Sequence, residues 1–358
     1  MSVETAAIDE AKVHAFVGQL IGELGATVNA GLVVIGDRLG LYKAMAGAGP
    51  ISTAELAERT GTTERYVREW LNAQAAGGYV EYDPSTQRYT LPAEHALALA
   101  NEASPAFACG WFQLATSTLR SEPEIREAFR SGAGFGWHEH DPGVHEGCAR
   151  FFGPTYDASI VSSWLPALDG VVDKLEAGAE VADVGCGLGR STLLMAKAYP
   201  RSRFTGFDYH PDSLALARRQ AEAAGMGDRV KFEVAPAKGF PGPAAYDLVT
   251  TFDSLHDMGD PVGAARHVRE TLKPDGTWMV VEPLAGDKVE DNLNPIGRAY
   301  YSFSNFLCTP SSLAQEVGLA LGAQAGEPRI RDVATAAGFT RFRRATEGMI
   351  HLVYEVRP

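Results

Sequence analysis

The chain has 358 residues, room for two domains of ordinary size, and 45% of them are hydrophobic, enough to build true cores and to exclude a disordered chain. Its formal charge of −13 sets up a field that repels phosphate backbones and anionic lipid surfaces, so neither nucleic acid nor membrane is the expected partner. Four cysteines, Cys109, Cys148, Cys186 and Cys308, lie far apart without a C-x-x-C pair, which reads as reduced, buried thiols in a cytosol rather than a disulfide framework.

Met1–Thr5 runs on to Asp9 and Glu10 without the basic and apolar regions of a secretory leader. No apolar run is read as long enough to cross a bilayer, and the expectation is a soluble, cytoplasmic protein. Residues 1–100 read as a mainly helical domain. Within it Gly31–Tyr42 is apolar on more than one face, the mark of a buried helix, here against a second subunit, which predicts a homodimer. Ser52 starts the next helix with Glu55 three residues on, the spacing of a capping box, and Gly61 ends it. Thr62 or Thr63 caps a second helix carrying Tyr66, Val67, Trp70, Leu71 and Ala75 at helical spacing, stopped by Gly77 and Gly78. A strand at Tyr79–Tyr82, a turn at Asp83–Thr86 and a strand at Arg88–Leu91 complete the order of a winged helix. Between residues 51 and 95 seven acids stand against four arginines, and Arg65 and Arg68 are matched by Glu64 and Glu69. Such a surface offers little to phosphates, so dimerisation or cover for a substrate site is the expected role.

Residues 101–175 read as a helical linker or lid, with Phe107, Trp111, Phe112 and Leu114 as core candidates and Gly132–Gly136 as a mobile break. His138, Glu139, His140, Asp141, His145, Glu146 and Cys148 follow that break. Their spacing matches no common zinc framework, and Pro142-Gly143 suggests an exposed loop, so no metal is expected there.

Residues 176–358 alternate strands and helices, the pattern of a doubly wound parallel sheet. The strand ending Val181-Ala182-Asp183-Val184 turns into a helix through Gly185, Gly187 and Gly189. A turn this tight requires residues without a Cβ where a ligand lies against bare backbone. The dinucleotide fingerprint would require glycine at position 190, which is Arg190. The next strand ends at Asp208, nineteen residues after Gly189, where a carboxylate accepts both hydroxyls of a ribose. Further strands are read at Val230–Val234, Tyr246–Phe252 and Thr277–Glu282, with Asp260 and Pro261 opening a helix and Leu272–Gly276 as a turn. A helix near Arg331–Ala337 and strands at Arg341–Ala345 and Ile350–Glu355 close the sheet.

The strand ends bring Cys186, Tyr209, Ala235, Phe252 and Asp253 beside these groups, and then His256 and Asp257. A histidine titrates near neutrality and Asp257 is placed to orient its ring, which suits a general base; a structural or cofactor-packing histidine is the other reading. The segment Asp291–Cys308 mixes aromatics with amides and hydroxyls, either the lining of a flat acceptor site or a cap helix that simply packs. Trp111, Phe112, Phe151, Phe152 and Tyr156 are candidates for the opposite wall.

The D-x-G-x-G-x-G form from Asp183 to Gly189 resembles motif I of class I S-adenosylmethionine-dependent methyltransferases. His256-Asp257-Met258-Gly259-Asp260 looks like the H-D-W-x-D segment of small-molecule O-methyltransferases that carry a winged-helix dimerisation domain. The resemblance covers about residues 30–358. It implies a Rossmann-like seven-stranded class I methyltransferase sheet, S-adenosylmethionine as cofactor, and a small-molecule acceptor, an aromatic or polyketide-like hydroxyl. It makes His256 the base, Asp208 the ribose ligand and the glycines the seat of the methionine moiety. The chain departs from the pattern at Met258, which replaces tryptophan, and after Glu233-Val234, where an aspartate near adenine is missing. The glutamates thought to assist the base have no firm match, Glu282 being nearest. Transfer to nitrogen or carbon stays open, and a cofactor-binding winged-helix transcription regulator without catalysis is the alternative.

Overall fold

The structure is a computed structural model that describes residues 8–358, so the reading of Met1–Thr5 lies outside the described residues. The chain divides into two compact units, one comprising the residues through Thr116 together with Glu146–Pro154, the other Ser117–His145 with Thr155–Pro358.

In the first unit α1 (Glu10–Arg38) is capped by Asp9, whose carboxylate accepts the amides of Ala11 and Lys12. At 29 residues α1 is long and apolar enough to cross a membrane by length and composition, which corrects the expectation that no run reaches that length. Scattered polar residues such as Gln19, Glu23 and Thr27 break the run when it is read residue by residue, but its average stays apolar. Phe16, Leu20, Ile21, Leu24 and Val28 are exposed on it. The Gly31–Tyr42 stretch is the end of α1 and the start of α2 (Leu41–Met45). Val33, Leu41 and Tyr42 are buried there, whereas Ile35 and Leu39 face outwards.

The capping box of α3 (Thr53–Thr60) is present in full, Ser52 and Glu55 each accepting the other's amide, and Gly61 closes the helix in the left-handed conformation. Then come α4 (Glu64–Ala76), the wing strands β1 (Glu81–Asp83) and β2 (Arg88–Thr90), and α5 (Ala93–Leu99). Val67, Trp70 and Leu71 of α4 point into a core shared with Leu56, Tyr89 and Phe107. After α6 (Cys109–Thr118), Phe107 and Leu114 are buried as expected of core residues, but Trp111 is 40% exposed and packs on Phe151.

In the second unit α7 (Glu122–Ser131) ends at Gly132, and the Gly132–Gly136 stretch is docked rather than loose. The Phe135 amide donates to the Pro310 carbonyl at 3.0 Å, and a Cβ at Gly134 would overlap the backbone of Ala314. The expected loop at Pro142-Gly143 is instead the first turn of α8 (Pro142–Ser159). Asp141 caps it by accepting the Gly143 amide and Pro142 fits the first helical position, where no N–H is needed.

After α9 (Val171–Ala177) come β3 (Glu180–Val184), α10 (Arg190–Ala198), β4 (Arg203–Asp208), α11 (Pro211–Ala223), β5 (Val230–Val234), β6 (Tyr246–Phe252), α12 (Pro261–Thr271) and β7 (Leu272–Pro283). The chain continues through α13 (Pro295–Phe306), α14 (Cys308–Leu313), α15 (Gly326–Ala336), β8 (Arg341–Glu347) and β9 (His351–Arg357). One seven-stranded sheet results, ordered β5-β4-β3-β6-β7-β9-β8, parallel except for β9, which runs against both neighbours. The near-continuous apolar runs of β3, β6 and β7 reflect burial on both faces. Leu272–Gly276, expected as a turn, extends β7, with a register shift opposite Tyr246–Leu248; α15 begins five residues before the expected Arg331. Because β3 is flanked by β4 on one side and β6 on the other, the chain order reverses at its carboxyl end. That is where open sheets of this kind leave a crevice.

Candidate functional site

The glycine turn sits at that reversal. Gly185, Gly187 and Gly189 have φ of 75°, 51° and 78°, values that L side chains rarely adopt. At Gly187 no atom stands within 4 Å of where a Cβ would project, so the backbone is open on that side, whereas a Cβ at Gly189 would lie 2.6 Å from the Phe232 ring. Asp208 ends β4 beside the turn: Oδ2 accepts the Gly187 amide and Oδ1 the His210 amide, both at 2.9 Å. Each carboxylate oxygen keeps lone-pair capacity for a further donor. Burial raises the Asp208 pKa above the ordinary carboxylate range, against the lowering effect of the two amides. A diol donating to both oxygens would offset that burial, so the residues present fit a ribose.

Asp183 does not face this crevice. It is 1% exposed and accepts from Ser191 Oγ at 2.7 Å, Thr192 Oγ1 at 2.6 Å and Thr250 Oγ1 at 2.9 Å, tying the turn to α10 and β6 from behind. The sequence shows the acid but not the three hydroxyls that donate to it. The Cys186 thiol is likewise buried, against Gly206, and leaves only backbone at the turn. Ala235 is tied by its amide to the Asp208 carbonyl, and Tyr209 stands 47% exposed next to Asp208. Phe252 is buried, its ring 5.4 Å from that of Tyr156 and stacked with Trp164.

Beyond β6, Asp253 adopts φ 48°, a strained value for a residue with a side chain. Its Oδ2 accepts from Tyr156 Oη at 2.6 Å and lies 2.9 Å from His351 Nε2. Sequence reasoning missed Tyr156 and His351 as partners of Asp253, because they come from α8 and β9. Trp111, Phe112, Phe151 and Phe152 belong to the first unit and Tyr156 to the second.

His256 lies in a single helical turn, Leu255–Asp257, and is 3% exposed. Its Nδ1 is 2.6 Å from Glu282 Oε2, and the other oxygen of Glu282 accepts the Leu255 amide at 3.2 Å. The carboxylate that holds Nδ1 is therefore Glu282 on β7, while Asp257 Oδ1 lies 3.2 Å from Nε2. Burial works against the charged ring, but Glu282 and Asp257 outweigh it and hold the His256 pKa well above the ordinary histidine value. Cys308, the first residue of α14, brings its Sγ within 4.8 Å of a ring nitrogen of His256 and a carboxylate oxygen of Asp257, and burial pushes its thiol up to about 12. Further along the chain, Ser312 Oγ donates to the Met258 carbonyl and Gln315 Nε2, just past α14, to the Asp257 carbonyl, fixing the turn. The histidines of the 138–145 segment go elsewhere: His140 Nδ1 lies 3.2 Å from Ser121 Oγ, and His145 stacks on His210 at 5.0 Å.

Comparison with known proteins places the chain. Residues 27–101 match the Rv2258c-like winged HTH domain, and residues 175–306 match a methyltransferase domain. Among curated proteins it is similar to the 27-O-demethylrifamycin SV methyltransferase of Amycolatopsis mediterranei, 36% identical over 28% of this chain and 38% of that protein. The chain spans about two fifths of the length of the curated relatives it matches first. Among solved structures it resembles the mitomycin 7-O-methyltransferase MmcR, with 20% identity, 98% of this chain and 100% of that one covered, and a TM-score of 0.70. Human N-acetylserotonin methyltransferase in complex with SAM gives 18% identity, 99% coverage of both chains and a TM-score of 0.67. The fold is thus that of the class I methyltransferases. Residues 27–101 carry a winged helix-turn-helix domain and residues 175–306 a methyltransferase domain.

Proposed function

We propose that the protein is a methyltransferase that takes S-adenosylmethionine as methyl donor and acts on a hydroxyl of a small, aromatic or polyketide-like molecule. The observation that carries this reading is Asp208, held by the Gly187 and His210 amides beside the open side of the glycine turn. The dinucleotide alternative lacks its third glycine, and Arg190 at that position is engaged with Asp157 at 3.0 Å. The cofactor, once bound, supplies an electrophilic methyl group.

This chain's residues bind, orient and move a proton. Asp208 accepts the ribose hydroxyls, Gly185, Gly187 and Gly189 present backbone to the amino-acid portion, and Tyr209, Ala235, Phe252 and Asp253 shape the pocket beyond. Asp183 and Cys186 support the turn from inside. Holding the acceptor oxygen at attack distance in a dry site contributes most of the acceleration. His256, once its Nε2 proton has left, is the base for the acceptor proton, with Glu282 at Nδ1 stabilising the charged ring that results. Asp257 lies at Nε2, where the acceptor proton is taken up. Incubating the chain with labelled S-adenosylmethionine and a panel of phenolic and polyketide acceptors tests the reading: label in an acceptor supports it, and cofactor binding without turnover on any acceptor favours the non-catalytic alternative.

The reading includes a homodimer formed through α1, whose exposed Phe16, Leu20, Ile21, Leu24 and Val28 form an apolar surface that a second copy would cover. It also includes residence in the cytoplasm and domains divided near residues 100 and 175. A DNA-binding role receives no support from α4, where Arg65 pairs with Glu69 and Arg68 with Glu64.

A further inference from the structure

Three donors of different chemistry converge at His256. The imidazole nitrogen of His256, a carboxylate oxygen of Asp257 and Cys308 Sγ all lie within 4.8 Å of one another, with His256 and Cys308 buried and Asp257 half-buried. Tetrahedral zinc, with bonds of about 2.0–2.3 Å, sets its ligand atoms roughly 3.3–3.8 Å apart, so closing on an ion requires only small side-chain movements. One imidazole, one thiolate and one carboxylate form a set that suits a borderline-soft ion and not magnesium or calcium, which take oxygen throughout. The frame is built: Glu282 sits 2.6 Å from Nδ1, the carboxylate–histidine arrangement that orients metal-ligating imidazoles, and Ser312 and Gln315 clamp the turn to α14.

We propose that His256 Nε2, an oxygen of Asp257 and Cys308 Sγ bind one zinc ion, with water in the fourth position, and that zinc bound there takes His256 out of proton transfer. On binding, the Cys308 thiol and His256 Nε2 each release a proton to solvent, and their sulfur and nitrogen, with the Asp257 oxygen, bond zinc as water leaves the hydrated ion; no oxidation or reduction occurs. The regulatory half of the inference rests on the methyltransferase reading, whereas the binding half stands without it.

Chelator-stripped full-length protein titrated with cobalt(II) tests the site. A thiolate-to-cobalt charge-transfer band and tetrahedral visible bands should saturate at one equivalent and vanish on addition of zinc. Cys308→Ser should lose the charge-transfer band and bind zinc at least about 100-fold more weakly, and Glu282→Gln should weaken it about 10-fold. With an acceptor in hand, one equivalent of zinc should suppress wild-type turnover and a chelator should restore it, while the rate ratio with and without zinc stays near one in Cys308→Ser. Absence of the charge-transfer band, or zinc held equally tightly by Cys308→Ser, overturns the site. Zinc bound at one equivalent without inhibition overturns its regulatory role. S-Adenosylmethionine affinity measured on the same samples separates the two readings: cofactor binding without a cobalt band removes the zinc site alone, and a cobalt band without cofactor binding removes the methyltransferase reading and the regulation built on it.

Discussion

Asp208 uses one amide on each carboxylate oxygen and keeps a lone pair on each for the ligand. Removing a charged acceptor of two hydroxyls is worth about 2 kcal/mol, so Asp208→Ala should weaken S-adenosylmethionine about 30-fold by calorimetry; unchanged affinity would take the ribose away from this residue. At Gly189 a side chain would be strained by φ 78° and pressed against Phe232, so Gly189→Ala should cost about 1–3 kcal/mol in denaturant unfolding, and an unaltered midpoint would contradict that packing. These residues were legible in the sequence because the turn and the acid are local in the chain. The setting of His256 was not: Glu282 is 26 residues away on another strand, and Cys308 comes from a helix beyond it. Asp183 shows the same gap, since its strand position announces an acid near the turn but not the hydroxyls of α10 and β6 that turn it inwards.

At the scale of elements, capping signals located the winged helix and α12 because cap residues act within one turn of the helix they start. Asp141 and Pro142 start α8 by the same rule, although in the sequence Pro142-Gly143 reads as a loop. The start of α8 adds an acid-sensitive group: burial, and then the nearby His145, lower the His140 pKa to about 4. The unfolded chain takes up that proton near the ordinary value of about 6.5 while the folded chain refuses it, so this stability is complete above pH 6.5 and is lost as the pH falls towards 4. Melting curves across that interval should fall more steeply for the wild type than for His140→Gln; parallel slopes would remove the burial argument. On α4 the paired arginines predict no salt-dependent shift of a DNA duplex, and a shift that weakens with salt would revive the regulator.

Over the whole molecule, the alternation of strands and helices announces a parallel sheet, but α1 is underestimated because its glycines and amides hide an apolar average that only a long window reveals. If a second copy covers that helix, the Leu20→Glu, Leu24→Glu double variant should sediment as a monomer where the wild type sediments as a dimer, and a dimer unaffected by both changes would place the contact elsewhere. The account as a whole stands on what the turn at Gly185–Gly189 seats. Isothermal titration of the purified chain with S-adenosylmethionine, with NAD in a parallel run, addresses that directly. Saturable heat at one site per chain for the sulfonium nucleoside and none for NAD is the predicted result; heat for NAD alone would contradict it.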